Sequence, residues 1–486
     1  MAALFDVIIV GAGPSGIFAA LELGNLTRAR VLLLEKGPDL PIRLAGAGTR
    51  LSGWGGAGAF SDGKLNLSPH VGGSLERYLP REEIEALIEY VDGRYLEFGA
   101  PKEEYGGDPG ALARLQARAA RHGLRLVPSR LRHLGTDRCP DLLARMRDLL
   151  SDRIEIRFGT EVTRIDLAEG IVQGVTDRTG VHYSAPFVIL AAGRDGVGWL
   201  AEESGRLGLP TGMSPVDIGL RVELPAAVLA PLTEVVYEAK LRFNSRTFND
   251  QVRTFCMCPY GEVIREEYDS VTTVNGHSYA ERRTANTNFA ILVSTTFTEP
   301  FREPVAYGRS VARLANLLGG QLLLQRLGDL RAGRRSTAER IPSGGVVPSL
   351  KEATPGDLSF ALPYRYLTGI LEMLEAMDHF VPGVNDPSTL LYGVEVKFYS
   401  LALRVSARME TAVPNLFAVG DGSGVSRGLV QSSASGVLAA REVAGRLSGR
   451  ARPERRFVPA PQAKASKRID RRKKAAETLL GRGGQR

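Results

Sequence analysis

Three glycines near the start of the chain, Gly11, Gly13 and Gly16, stand between an apolar run, Val7-Ile8-Ile9-Val10, and a helix-forming run from Ile17 to Leu23. That order and spacing suit a diphosphate: Gly11 permits a tight turn, Gly13 lets backbone approach the pyrophosphate, and Gly16 lets helix pack closely on strand. Pro14 and Ser15 fall in the first turn of the helix, whose N–H groups face the phosphate charge. A second apolar run, Val31 to Leu34, ends at Glu35 and Lys36. Glu35 follows Gly11 by about two dozen residues, near the interval at which a carboxylate accepts ribose hydroxyls, and its charge argues against a 2′-phosphate. The ligand so specified is a dinucleotide, and this segment alone would serve NAD or FAD.

A second glycine-rich stretch, residues 52–65 (SGWGGAGAFSDGKL), has glycines at 53, 55, 56, 58 and 63. Each adds backbone freedom that folding must remove, so regular structure is disfavoured and close approach of backbone to a ligand explains them better. Gly55, Gly56, Ala57, Phe60 and Ser61 are therefore candidate contacts, with Arg43, Asp62 and Lys64 as charged groups beside them. Lys64 is a candidate catalytic cation that could steady developing negative charge or orient a substrate anion. An exposed lysine on a surface loop is the competing reading.

Further along, His277 is the one histidine of six in a turn-like polar setting, which suits proton transfer near neutral pH. Lys397, with Arg334 and Arg335, could clamp a carboxylate or phosphate. Asn275, Asn288 and Arg427 complete the candidate pocket. For each of these a hydrogen-bonded structural residue or a solvated charge is the plainer alternative. The three cysteines, Cys139, Cys256 and Cys258, are too few for a disulfide framework and lack zinc-type spacing, so no metal is expected. Cys256 and Cys258 fall on one face of a strand-like run and read as buried small hydrophobes.

The elements that must position these groups follow from the pattern. Short strand-like runs with turns at Gly159, Gly170 and Gly180 lead into Phe187-Val188-Ile189-Leu190 and then Ala191-Ala192-Gly193. Near the far end, residues 411–421 form another apolar strand ending at Gly420-Asp421. The net charge of +8 is concentrated in the tail: residues 450–486 hold 13 Lys plus Arg against 3 acidic residues, leaving 49 against 51 before them. No apolar run reaches about 18 residues and no basic leader opens the chain, so a cytoplasmic protein without membrane segments is expected.

Taken together, the glycine turn with Glu35, the strand ending Ala191-Ala192-Gly193, and residues 411–421 resemble the FAD domain of the glutathione-reductase-like superfamily. The resemblance implies FAD, with Asp421 on the ribityl chain or pyrophosphate, Val162 backbone near the adenine, and a helix starting at Gly428, Leu429 and Ser432 aimed at the flavin N1–C2 region. A helix N-terminus there would stabilise the charge of the reduced ring. Residues 52–65, 216–223, 274–278, 333–337 and 393–400 extend the resemblance to a group of bacterial FAD-dependent dehydrogenases. Relatives in that group often carry cysteines ahead of the glycine-rich segment, whereas residues 41–51 here have none, which puts thiol chemistry at that place in doubt.

The expected fold is α/β: a Rossmann-like FAD/NAD(P)-binding domain, parallel sheet plus β-meander, with an inserted α+β substrate domain. Residues 1–212 and 388–448 form the FAD-binding domain with a helical insertion at about 75–150, residues 213–387 the cap, and 449–486 a disordered basic tail. The expected activity is hydride transfer between bound FAD and a small organic substrate, with NAD(P)H as a transient donor. Disulfide reduction is disfavoured because the redox cysteine pair of that superfamily is missing, and no second glycine fingerprint supplies a nicotinamide domain. Gly193-Arg194-Asp195-Gly196 resembles the aromatic hydroxylases, which keeps monooxygenation as an alternative. A flavoprotein acting on RNA through the basic tail, and a non-enzymatic binding protein, are the contrasting classes.

Overall fold

Val7–Val10 pairs in parallel with Phe187–Leu190 on one side and with Val31–Leu34 on the other. Leu416–Ala418 and Glu155–Arg157 extend this sheet at its two ends, giving five parallel strands drawn from both ends of the chain. The three central strands are almost wholly apolar and buried, as parallel strands covered on both faces must be. The helices Pro14–Leu26 and Leu429–Leu447 lie in the same apolar core as these strands. In this computed structural model the described residues are 4–46, 51–212, 216–268, 271–295, 303–320, 322–398 and 401–450. Residues 399–400 of the resemblance, the 212/213 boundary and nearly all of the basic tail lie outside them.

An antiparallel meander, Val162–Ala168, Ile171–Asp177 and His182–Ser184, inserts between the Glu155–Arg157 and Phe187–Leu190 strands. The parallel sheet with this meander is the nucleotide-binding architecture that the sequence predicts.

A second sheet of eight strands is built around Val216–Pro225, flanked by Leu390–Lys397 and Asn286–Thr295, both antiparallel to it. Gln251–Cys258 and Leu241–Asn244 continue it on one side, and Leu323–Arg326 with Thr354–Pro355 on the other. Its apolar core is separate from that of the parallel sheet and includes the helix Tyr364–Phe380. The hairpin Glu262–Tyr268 with Val271–His277 stands beside it. His277 thus ends a paired strand, opposite Glu262, rather than occupying the turn that its polar neighbours suggest.

The region read as a helical insertion holds the helices Arg81–Glu97, Pro109–Ala120 and Cys139–Ser151. It also contributes the short strand Arg125–Leu126 to the edge of the eight-stranded sheet. Among the described residues no helix is long and apolar enough to cross a membrane.

Candidate functional site

Both sheets open onto one cavity of about 2080 Å³. At one end it meets the glycine turn. A Cβ on Gly11 would stand 2.3 Å from the Ala191 carbonyl oxygen, and one on Gly16 would stand 1.9 Å from that of Gly11. Strand, turn and helix therefore pack at a separation only glycine allows. At Gly13 a Cβ would meet nothing within 4 Å, because that position faces the open cavity. The first turns of Pro14–Leu26 and Leu429–Leu447 both border the same space, so two helix N-termini present N–H groups to it.

Gly11, Gly13, Pro14, Ser15, Glu35, Lys36, Gly56, Ala57, Phe60, Ser61, Asp62, Val162, Ala191, Ala192, Gly193, Asp421, Gly428, Leu429 and Ser432 line the cavity, as do Lys64, His277 and Lys397. Gly16, Arg43, Gly55 and Gly420 stand behind the wall. Gly55 donates to the Ala12 carbonyl at 2.8 Å and Gly420 to Ser435 Oγ at 3.0 Å, so both fasten backbone. Arg43, read from sequence as a charge near the ligand, is buried. Its Nη1 donates to the carbonyls of Trp54 and Gly56 at 2.6 and 3.0 Å, and its guanidinium lies over the Phe60 ring. Arg43 therefore shapes the glycine-rich segment from beneath.

Glu35 has a double task. Oε1 accepts the N–H groups of Gly37 and Gly53, and Oε2 accepts that of Ala12 at 2.8 Å. The carboxylate ties the glycine turn to the glycine-rich segment, and Oε2 keeps acceptor capacity for a ribose hydroxyl. Lys36 pairs with Asp195 at 2.6 Å. Asp421 accepts from Ser426 at 2.8 Å, and burial raises its pKa above the usual carboxylate range.

Across the cavity, charges alternate in a chain that is buried at Arg221, Glu395 and Lys397 and half-buried at Glu266 and Arg194. Arg221, fully enclosed, lies 3.2 Å from Glu395. Glu395 lies 3.0 Å from Lys397, Lys397 lies 3.5 Å from Glu266, and Glu266 lies 3.8 Å from Arg194. Burial alone would lower the Lys397 pKa, but Glu395 and Glu266 hold it above the ordinary lysine range. Tyr268 accepts from Arg194 at 3.2 Å. Lys64, enclosed as well, pairs with Asp62 at 2.7 Å. Burial opposes both charges, yet each partner keeps the other ionised, with His133 and His277 adding to the pull on Asp62.

Several candidates fall elsewhere. Arg334 pairs with Asp329 and is exposed, Arg335 is exposed as well, and neither borders the cavity, so they form no clamp with Lys397. Asn288 is fully buried and accepts from Arg221 Nε at 2.8 Å, a structural role. Asn275 and Arg427 do line the cavity. Sequence reasoning missed Glu266 and Tyr268, two apart on one strand, and gave Arg194 only a resemblance. It also took Cys256 for a buried hydrophobe, whereas Cys256 is on the cavity wall. A period of two along the polar strand Glu262–Tyr268 was the available signal.

Five parallel strands with a meander, a glycine turn on a helix N-terminus and a cavity along the strand ends define a dinucleotide-binding α/β protein. The family described as "FAD dependent oxidoreductase" matches residues 6–216, and the one described as "FAD-dependent protein, C-terminal domain-like" matches 215–398; both are FAD-dependent, and the cofactor is FAD. No curated protein matches it in sequence. Among solved structures it is similar to glycine oxidase from Geobacillus kaustophilus, at 14% identity over 91% of this chain and 95% of that one, with a TM-score of 0.37. It is also similar to 3-ketosteroid-delta4-(5alpha)-dehydrogenase from Rhodococcus jostii RHA1, at 15% identity over 91% and 97%, with a TM-score of 0.42.

The residues fit FAD on their own geometry. Gly13 leaves the cradle open where a side chain would fill it, two helix N-termini face that space, and Glu35 keeps an acceptor beside it. The cavity is also larger than the roughly 300–1,000 Å³ of ordinary ligand pockets, leaving room for a second molecule.

Proposed function

We propose that the chain transfers a hydride between FAD and a small organic substrate that enters the part of the cavity walled by the eight-stranded sheet and its hairpin. The observation that carries this reading is the continuity of one cavity from the glycine turn at Gly13 to Lys64, His277 and Lys397. Bound FAD supplies two-electron redox chemistry.

The chain's residues supply the rest. Gly11, Gly13 and Ser15 with the first helix turn hold the diphosphate, Glu35 takes a ribose hydroxyl, and Asp421 takes the sugar-alcohol linker. The N-terminus of Leu429–Leu447 offers N–H groups to negative charge on the ring. Lys64 and Lys397, kept protonated by Asp62, Glu395 and Glu266, orient an electron-rich group of the substrate. His277, on the cavity wall near Asp62, moves the proton that accompanies the electron pair.

The test is spectroscopic. Purified protein should carry a flavin spectrum, and anaerobic addition of NADH, NADPH or members of a metabolite panel should bleach it. Bound flavin that no reductant bleaches faster than free flavin would remove the redox reading.

A further inference from the structure

Cys256 and Cys258 belong to the strand Gln251–Cys258. In a regular strand, side chains two apart share a face at about 6.6 Å spacing. Here the pairing with Asn286–Thr295 slips between Phe255 and Cys258, Cys256 takes a φ of 43°, and the two sulfurs stand 3.8 Å apart. That conformation is costly for a residue with a Cβ and persists where its surroundings impose it. Arg221 is part of those surroundings: its Nη2 donates to the Cys256 carbonyl at 2.6 Å and lies 3.4 Å from Cys258 Sγ. On the other side Lys64 Nζ lies 3.9 Å from Cys256 Sγ and 3.6 Å from Cys258 Sγ, and Asp62 Oδ2 lies 3.5 and 3.8 Å from them. Cys256 is on the wall of the same cavity as Gly13 and Asp421.

We propose that Cys256 and Cys258 are a redox dithiol that exchanges an electron pair with the bound FAD by closing to a disulfide. The proposal rests on the reading that FAD occupies the shared cavity. As the S–S bond forms, the two thiols give up two electrons and two protons. The electron pair and one proton are taken up by oxidised FAD, and the second proton passes to water in the cavity. The reverse direction opens the disulfide. Lys64 and Arg221 favour the thiolate, the reacting form. Hydrogen bonding to Cys258 lowers the Cys256 thiol, and Lys64 lowers it further against burial, while burial raises Cys258. One thiol of the pair is thus poised to ionise first.

A metal site is the competing use of this cluster, since ligand atoms of Asp62, Cys256 and Cys258 lie within 4.8 Å of one another. The Lys64 ammonium, 2.7 Å from Asp62, already supplies the positive charge there. Cys139 makes a contrast. It is buried away from the cavity, burial pushes its thiol up to about 12, and it serves as the internal control.

Full-length FAD-loaded protein is oxidised with diamide, freed of reagent and titrated anaerobically with dithionite while flavin absorbance is followed. Thiols are alkylated under denaturing conditions and counted by mass spectrometry. The expected result is one electron pair per flavin beyond that which bleaches the flavin, with Cys139 alone alkylated before reduction and all three cysteines after it. Cys256→Ser and Cys258→Ser each lose the extra pair, and Cys139→Ser keeps it. Photoreducing the flavin of the oxidised protein by one electron pair opens the disulfide as the yellow colour returns.

Both thiols remaining alkylatable after diamide would overturn the proposal, as would a bleached flavin beside an intact disulfide. So would one zinc per chain shielding both sulfurs in the protein as purified. Colourless protein would overturn the cofactor reading itself, and the missing absorbance tells that failure from the others.

Discussion

Arg194, in the turn after the Phe187–Leu190 strand, stands 3.8 Å from Glu266 on the Glu262–Tyr268 hairpin. Through this pair the parallel sheet meets the wall built by the second sheet. Behind it the alternation continues through Lys397 and Glu395 to Arg221. Each buried charge in such a row is tolerable because its neighbours are of opposite sign, so deleting one member leaves others uncompensated.

Glu395→Gln places Arg221 and Lys397 beside a neutral amide, with Glu266 as the remaining carboxylate near Lys397. We predict a loss of about 3 kcal/mol in unfolding free energy. Urea denaturation should show a lower midpoint with an unchanged slope. An unchanged midpoint would mean that the row contributes nothing to stability.

Gly13 and Gly11 separate binding from folding. Gly13→Val adds bulk only to the open cavity, so the apoprotein should fold normally while FAD affinity falls by about tenfold or more, equivalent to roughly 1.4 kcal/mol. Gly11→Ala drives a methyl to 2.3 Å from the Ala191 carbonyl at a φ of 107°, and should destabilise the apoprotein itself. Flavin fluorescence titration and thermal melting of the two apoproteins distinguish these outcomes.

His133 is a pH sensor of stability. Burial lowers its pKa to about 4, and Tyr237 stacks on its ring at 4.4 Å. Between pH 4 and the unfolded value of 6.5 the unfolded chain binds the extra proton, so stability is full above 6.5 and falls as pH drops through that window. The contribution is at most about 3 kcal/mol. Melting temperatures at pH 7 and pH 5 should differ less in His133→Asn than in the wild type.

Lys64→Met removes the cation shared by Asp62 and the two thiols. Flavin content should stay near that of the wild type, because the diphosphate end of the cavity is untouched. The rate of flavin bleaching by any active reductant should fall at least about tenfold. Stopped-flow absorbance would measure it, and an unchanged rate would take Lys64 out of the chemistry.

The nucleotide end of this protein was legible in consecutive residues. Gly11, Gly13, Gly16, the strand before them and Glu35 after them are local requirements of one turn and two strands, so their spacing in the chain is their spacing in the fold. Of residues 411–421, read as one strand, only Leu416–Ala418 is paired in the parallel sheet, the residues before it being a turn; the helix after Gly428 was readable because a helix N-terminus is written in one short run.

The substrate end was decided by tertiary structure. Lys64, Cys256, Lys397, Arg194 and Glu266 come from separate strands and turns, and which of them share a wall depends on how two sheets and a hairpin meet. No local pattern distinguishes Arg43, which props the glycine segment from beneath, or Arg334, which faces solvent, from Arg194, which reaches the cavity. A charged side chain takes its role from the partner it finds and the water it loses, and for these residues both were set by chain segments far away in sequence.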